Sequence, residues 1–270
     1  MKILRSMLFV LFVFVCLVPA LPSTAAEDGA RIVIMAVEDP NNYDAVNSMS
    51  DFADTELRPL GHHVDLLEGN QTLPTDFSGL VEAMQTADLL IVFVRRATLP
   101  KAQLGAIRKH LVAGKPLLGI RTANHGFVPP GSAPITDSRL AAWPEFTPDV
   151  LGGQNTGYET KGMPYSVSLH PQAPKNSPLL AGVMPERIRG YQSLYKVLPL
   201  AEDATPLLLG KAAGHPPAQP IAWTRRHGEK RARIFYTSLG APQDMQLPDV
   251  RRLLVNAVKW TLESDEADDR

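Results

Sequence analysis

The residues able to do chemistry in this sequence gather just past its most apolar runs. Glu38 and Asp39 follow Arg31–Val37, and Arg95 and Arg96 follow the run that ends at Val94. Arg121-Thr-Ala-Asn-His-Gly126 follows Lys115–Ile120, and Ser238-Leu-Gly240 follows Ala232–Thr237. Guanidinium groups present planar forks of donors that match carboxylates and phosphates. Thr122 and Asn124 add neutral donors suited to sugar hydroxyls. His125 is the candidate catalytic group, a general acid or base, because an imidazole ordinarily titrates near neutrality. Tyr158 and Tyr195, with Trp143 and Tyr191, offer aromatic surface for the apolar face of a sugar ring. The expected ligand-binding set is Arg121, Thr122, Asn124, Glu38, Arg95, Tyr158 and Tyr195. Each has a structural alternative: a strand-end arginine can tie loops together through backbone carbonyls, Glu38 can pair with an arginine, and the tyrosines can simply pack.

Other chemistries find little support. His62 and His63 are adjacent at the start of an extended run, so their side chains point to opposite faces and cannot share an ion. His110, His170, His215 and His227 are scattered, with no His-x-x-x-His or paired-carboxylate spacing. Gly152-Gly153 opens no phosphate-cradling glycine pattern, and Gly214-His-Pro-Pro217 has the composition of a turn. No metal and no cofactor are predicted.

Alternating elements must hold these residues in place. Arg31–Val37, His63–Leu67, Asp88–Val94 and Lys115–Ile120 are expected strands by their β-branched, continuously apolar character. Between them, Asn47–Leu60, Ser78–Thr86 and Pro100–Leu111 carry apolar residues at helical spacing, closed by Pro59-Leu60-Gly61 and Gly114. This alternation predicts an α/β fold, a mostly parallel sheet with helices on both faces. The second half is richer in proline, with short strands expected near Tyr165–Leu169, Leu194–Leu200, Pro206–Leu209, Pro220–Trp223 and Ala232–Thr237. A closing helix runs from Pro248. In an open parallel sheet, ligands bind beyond the carboxyl ends of the strands, where all the candidates above fall.

The formal net charge is −1 over 270 residues, which gives no basic excess for nucleic acid. Residues 1–26 have the order of a secretory signal peptide: Lys2 and Arg5, an apolar run from Met7 to Val18, then Pro19, Pro22 and small residues. The run is short of the ~20 residues a membrane span needs, so cleavage after Ala25 or Ala26 and a periplasmic or secreted location are expected. Cleavage removes Cys16, the only cysteine, and with it any thiol chemistry. What remains suits one domain, 27–263, followed by an acidic tail, 264–270. The expected partner is a small sugar or related polar ligand, with a homo-oligomer or protein partner also open.

Several motifs in order resemble the ThuA-like (trehalose-utilisation) family, of the class I glutamine amidotransferase-like superfamily with its flavodoxin-like sheet. They are Phe93-Val-Arg-Arg96, Lys115–His125, Trp143 with Val150-Leu-Gly-Gly153, His170-Pro171, Ser193-Leu-Tyr-Lys196, Ala222-Trp223, Ala232–Gly240 and Arg251–Ala257. The resemblance implies a role in the metabolism of trehalose, another disaccharide or a keto-sugar. Three departures qualify it. Amidotransferase-like folds carry a cysteine in a sharp Gly-x-Cys-x-Gly turn; Gly119-Ile-Arg-Thr-Ala123 aligns there with Arg121 in the nucleophile's place, and a guanidinium cannot attack a carbonyl. Related sequences have Leu-Gly-His after the last strand, where this one has Leu239-Gly240-Ala241. Many relatives also have a histidine-containing segment after the Gly-Gly pair, replaced here by Gln154-Asn-Thr-Gly-Tyr158. Glutamine hydrolysis is therefore excluded, and a non-catalytic sugar-binding or accessory module, partnering a sugar dehydrogenase or hydrolase, is the alternative to an enzyme.

Overall fold

Side chains alternate across β1 (Arg31–Val37), sending Ile32, Ile34 and Ala36 into one core and Val33, Met35 and Val37 into another. A strand buried on both faces needs helices on both faces, and the chain supplies them. The computed structural model describes residues 29–69, 75–129, 131, 135–159 and 162–263. The expected signal segment 1–26 and acidic tail 264–270 lie outside them.

After β1 come α1 (Ala45–Phe52), β2 (His63–Gly69), α2 (Leu80–Thr86), β3 (Leu89–Phe93), β4 (Leu99–Pro100), α3 (Lys101–Val112) and β5 (Leu117–Ile120). Then follow β6 (Leu140–Ala141), β7 (Tyr165–Leu169), β8 (Arg189–Gly190), β9 (Thr205–Ala212), β10 (His215–His227), β11 (Ala232–Thr237), α4 (Pro242–Met245) and α5 (Pro248–Leu262). Nine strands form one sheet in the order β2-β1-β3-β5-β11-β10-β9-β7-β8. Pairings from β2 to β11 are parallel, and those from β11 to β8 are antiparallel. The sheet is thus mixed rather than mostly parallel. For β9, β10 and β11 the reason is connection length: Ala213-Gly214 and Gly228–Arg231 join neighbouring strands by tight turns, whereas a parallel return needs a crossover of a dozen residues or more.

On one face, α1 and α5 bury Met49, Phe52, Val250, Leu253, Leu254 and Ala257. On the other, α2 and α3 bury Leu80, Leu104, Ile107 and Leu111. Each such side chain contributes roughly 1.5–3 kcal/mol by leaving water. Arg251 of α5 pairs with Glu56 at 2.8 Å and Asp51 at 2.7 Å, tying the last helix to the first. The first helix departs from its expected span. It begins at Ala45, widens into a π turn over Ala53–Leu57 and tightens to a 3₁₀ turn over Arg58–Leu60. Gly61, at φ 90°, then ends it. Leu194–Leu200 is no strand: Tyr195 makes only a single bridge to Tyr158.

Candidate functional site

The loops that follow β1, β3 and β5 are knitted together beneath the surface. Asn42 donates from Nδ2 to the carbonyls of Val37, at 2.8 Å, and Phe93, at 2.9 Å, joining the ends of β1 and β3. Thr122 donates its hydroxyl to Asn42 Oδ1, which adds the end of β5. The Arg96 and Ala97 amides donate to the carbonyls of His125 and Gly126. The backbone here is under strain. Of the five non-glycine residues with positive φ among the described residues, Tyr43, Asp44, Arg96 and Arg121 stand in these loops, at 57°, 52°, 46° and 42°. Such conformations disfavour side chains larger than glycine and collect at functional sites.

Arg121 is completely buried. Its Nη1 donates to the Ser238 carbonyl at 2.6 Å and its Nη2 to the Ser193 carbonyl at 3.3 Å. The guanidinium lies 4.1 Å from the ring centre of Tyr43 and 4.8 Å from that of Tyr195, a cation held by aromatic faces. Tyr236 donates its hydroxyl to the Arg121 carbonyl at 2.8 Å. The sharp turn after β5 is therefore present, but its side chain lies under the surface. Gly240 packs against it; a β-carbon there would fall 2.7 Å from Ile120 Cγ2 and 3.3 Å from Arg121 Cβ. Ala241 is buried, and its amide and that of Gly240 donate to the Asp244 carboxylate.

Above this floor opens a cavity of about 360 Å³. One wall comes from the strand-end loops, through Asn41, Tyr43, Arg95, Arg96 and His125. The other comes from Asn155, Gly157, Tyr158, Ser193 and Tyr195. Arg95 pairs with Asp39 at 3.2 Å. The ring centres of His125 and Tyr195 are 5.9 Å apart. Burial, followed by the charges of Arg96, Arg95 and Arg121, pushes the His125 imidazole down to about 3, so it is neutral at pH 7.

Four of the residues predicted from sequence, His125, Arg95, Tyr158 and Tyr195, thus meet at one cavity. Arg121, Thr122 and Asn124 lie behind its wall, fully buried; the Asn124 side-chain amide donates to the Gln154 carbonyl at 3.0 Å, and its backbone carbonyl accepts from the Thr147 hydroxyl. Glu38 is exposed and outside the wall; its neighbour Asp39 reaches Arg95 instead. Sequence reasoning missed Asn41, Tyr43 and Asn155, polar residues inside loops with no periodic signal. Asn155 lies in the segment just after Gly152-Gly153. Its position depends on Gly153, which packs on Trp223: a β-carbon there would fall 2.8 Å from the indole.

A larger hollow of about 710 Å³ lies at the opposite edge, by Ala30, Asp88, Lys115 and Lys230. Its lining includes one non-glycine residue of positive φ, Arg231 at 53°, but none of the loops that follow β1, β3 and β5, and ligands of such sheets bind at the other end. Among the described residues, no three His, Cys, Asp or Glu side chains cluster as metal ligands do, and no helix is long and apolar enough to cross a membrane.

The fold is similar to that of a ThuA-like protein from Bacteroides uniformis, with a TM-score of 0.63 at 17% identity over 92% of this chain and 97% of that one. A ThuA-like protein from Parabacteroides merdae gives 0.60 at 16% identity over 87% and 90%. No curated protein matches the chain. The family model for ThuA, trehalose utilisation, matches residues 57–261, three quarters of the sequence, and the chain belongs to that family.

Proposed function

We propose that this is an exported ThuA-like protein that binds a sugar or oxidised sugar in carbohydrate metabolism, with trehalose, another disaccharide or a keto-sugar as the class of ligand, and that it has no amidotransferase activity. The observation that carries the reading is the cavity at the carboxyl edge, where guanidinium, amide, imidazole and phenol groups converge around a volume in the range of small-ligand sites. Tyr158 and Tyr195 supply apolar ring faces, and Asn41, Asn155, Arg95 and Arg96 supply polar groups for hydroxyls. The order β2-β1-β3-β5-β11 supports a flavodoxin-like sheet whose direction of winding reverses between β1 and β3, beside this cavity. Export rests on the sequence of residues 1–26.

A non-catalytic sugar-binding or accessory role has specific support. Among the described residues, His125 is the one imidazole in the cavity wall, and a group held near 3 is a weak base at pH 7. The nucleophile's position holds a buried arginine, and the late histidine's position holds a buried alanine. Thermal unfolding with trehalose, glucose and a 3-keto-disaccharide tests binding, since a ligand of the native state raises its apparent stability. Chromatography of the keto-disaccharide after incubation tests turnover. Stabilisation without turnover establishes a binder; no stabilisation by any of these sugars overturns trehalose, another disaccharide or a keto-sugar as the ligand. Ammonia release from glutamine above the buffer rate would overturn the exclusion of amidotransferase chemistry.

A further inference from the structure

The charges around the cavity do not balance. Arg95 has Asp39, at 3.2 Å. Arg121, under the floor, has the field of Asp244, whose carboxylate accepts the amides of Tyr191, Gly240 and Ala241. Arg96 has neither kind of partner: among the described residues, its guanidinium makes no hydrogen bond and no ion pair. It is nonetheless half-buried in the cavity wall, next to Arg95. Among the described residues, no carboxylate lines the cavity.

Two further features set Arg96 apart from an ordinary surface arginine. Its backbone is held at φ 46° by the bond from its amide to the His125 carbonyl, a conformation in which glycine or asparagine would be less strained. His125, on the same wall, has a buried Nδ1 with no hydrogen-bond partner. A cation without a counter-charge, in a wall that carries no carboxylate among the described residues, forms a recess short of negative charge. Planar guanidinium forks satisfy that shortage best with two oxygens of one anion.

We propose that the ligand of this cavity is a sugar carrying an anionic group, a carboxylate or a phosphate monoester, with Arg96 as the residue that takes the anion. The proposal rests on the sugar reading above and names the ligand's charge. Arg95, held by Asp39, sits beside the anion, and Tyr158 and Tyr195 take the ring.

Isothermal titration of the mature protein with glucuronate, glucose 6-phosphate, glucose, trehalose and inorganic phosphate tests it, alongside Arg96→Gln. The expected result is that glucuronate or glucose 6-phosphate binds at least tenfold more tightly than glucose, with an affinity that falls as salt is raised. Whichever of the two binds more tightly identifies the anion. Arg96→Gln lowers that affinity roughly 10- to 100-fold, the range of a lost charge-assisted bond, and leaves glucose affinity unchanged. The comparison of ligands on the parent protein does not depend on the variant folding. Glucose or trehalose binding as tightly as the charged sugars, with no response to Arg96→Gln, overturns the anion proposal and leaves the sugar reading standing. Inorganic phosphate binding as tightly as glucose 6-phosphate, with no sugar preference, overturns the sugar reading and supports the anion site. No binding by any of the five overturns the anion proposal, and together with no stabilisation by the keto-disaccharide it overturns the sugar reading too.

Discussion

Removing the buried guanidinium of Arg121 is the perturbation whose size follows most directly from the structure. Truncation to alanine takes one donor from the Ser238 carbonyl, at 2.6 Å, and one from the Ser193 carbonyl, at 3.3 Å. A buried acceptor that loses its donor costs about 1–3 kcal/mol. The contacts to the faces of Tyr43 and Tyr195 add about 2 kcal/mol where water is excluded, and the emptied volume adds a cavity cost. Against these stands the relief of the desolvation penalty of a buried charge, itself several kcal/mol. The balance is a loss of about 2–5 kcal/mol, or roughly 5–15 °C in Tm for a domain of this size. The backbone supplies a second, sharper signature. At φ 42° an alanine keeps the steric strain that a glycine escapes, so Arg121→Gly should be more stable than Arg121→Ala by ~1 kcal/mol. Urea unfolding of the three proteins measures both differences, with the slope m expected to stay constant. Arg121→Ala unfolding at the parent's urea midpoint, or glycine proving worse than alanine, would refute this account of the turn.

Other expectations follow from the same geometry. Burial holds His125 at about 3 and His110 at about 4, both below the ordinary value near 6.5; the unfolded chain therefore binds more protons than the folded one between these values. Their contribution to stability is complete above pH 6.5 and falls by about 1.4 kcal/mol per pH unit for each group as the pH drops toward 4. Urea midpoints at pH 7, 6 and 5 check the slope, and a His125→Asn protein should show a flatter profile. Gly153→Ala would set a β-carbon 2.8 Å from Trp223, displacing the loop that carries Asn155 and Tyr158. Sugar affinity should fall at least several-fold, as titration calorimetry would show, and an unchanged affinity would mean that the loop does not shape the site. The mature protein should begin at Ala26 or Glu27, and a full-length mass in the membrane fraction would contradict that.

The sequence by itself determined the parallel half of the sheet, because strands buried on both faces leave uninterrupted apolar runs such as Leu89–Phe93, and their helices leave a period that survives without knowledge of any neighbour. It also placed the candidate residues after those strands, since the end of an apolar run is visible in one dimension. The antiparallel half was less legible: in β9 and β10, proline and polar residues interrupt the pattern, and pairing direction is set by turns at Gly214 and Gly228 rather than by composition. Only the tertiary structure decided which candidates face the cavity. Arg95, Arg96 and Arg121 are chemically identical side chains that all follow strands, yet Arg121 points under the floor, where two carbonyls and two tyrosine rings hold it. Arg95 meets Asp39, and Arg96 is left without a partner among the described residues. Those partners lie 56 to 117 positions away in the chain, and no local pattern records them, because burial and hydrogen bonding depend on what the folded chain brings alongside.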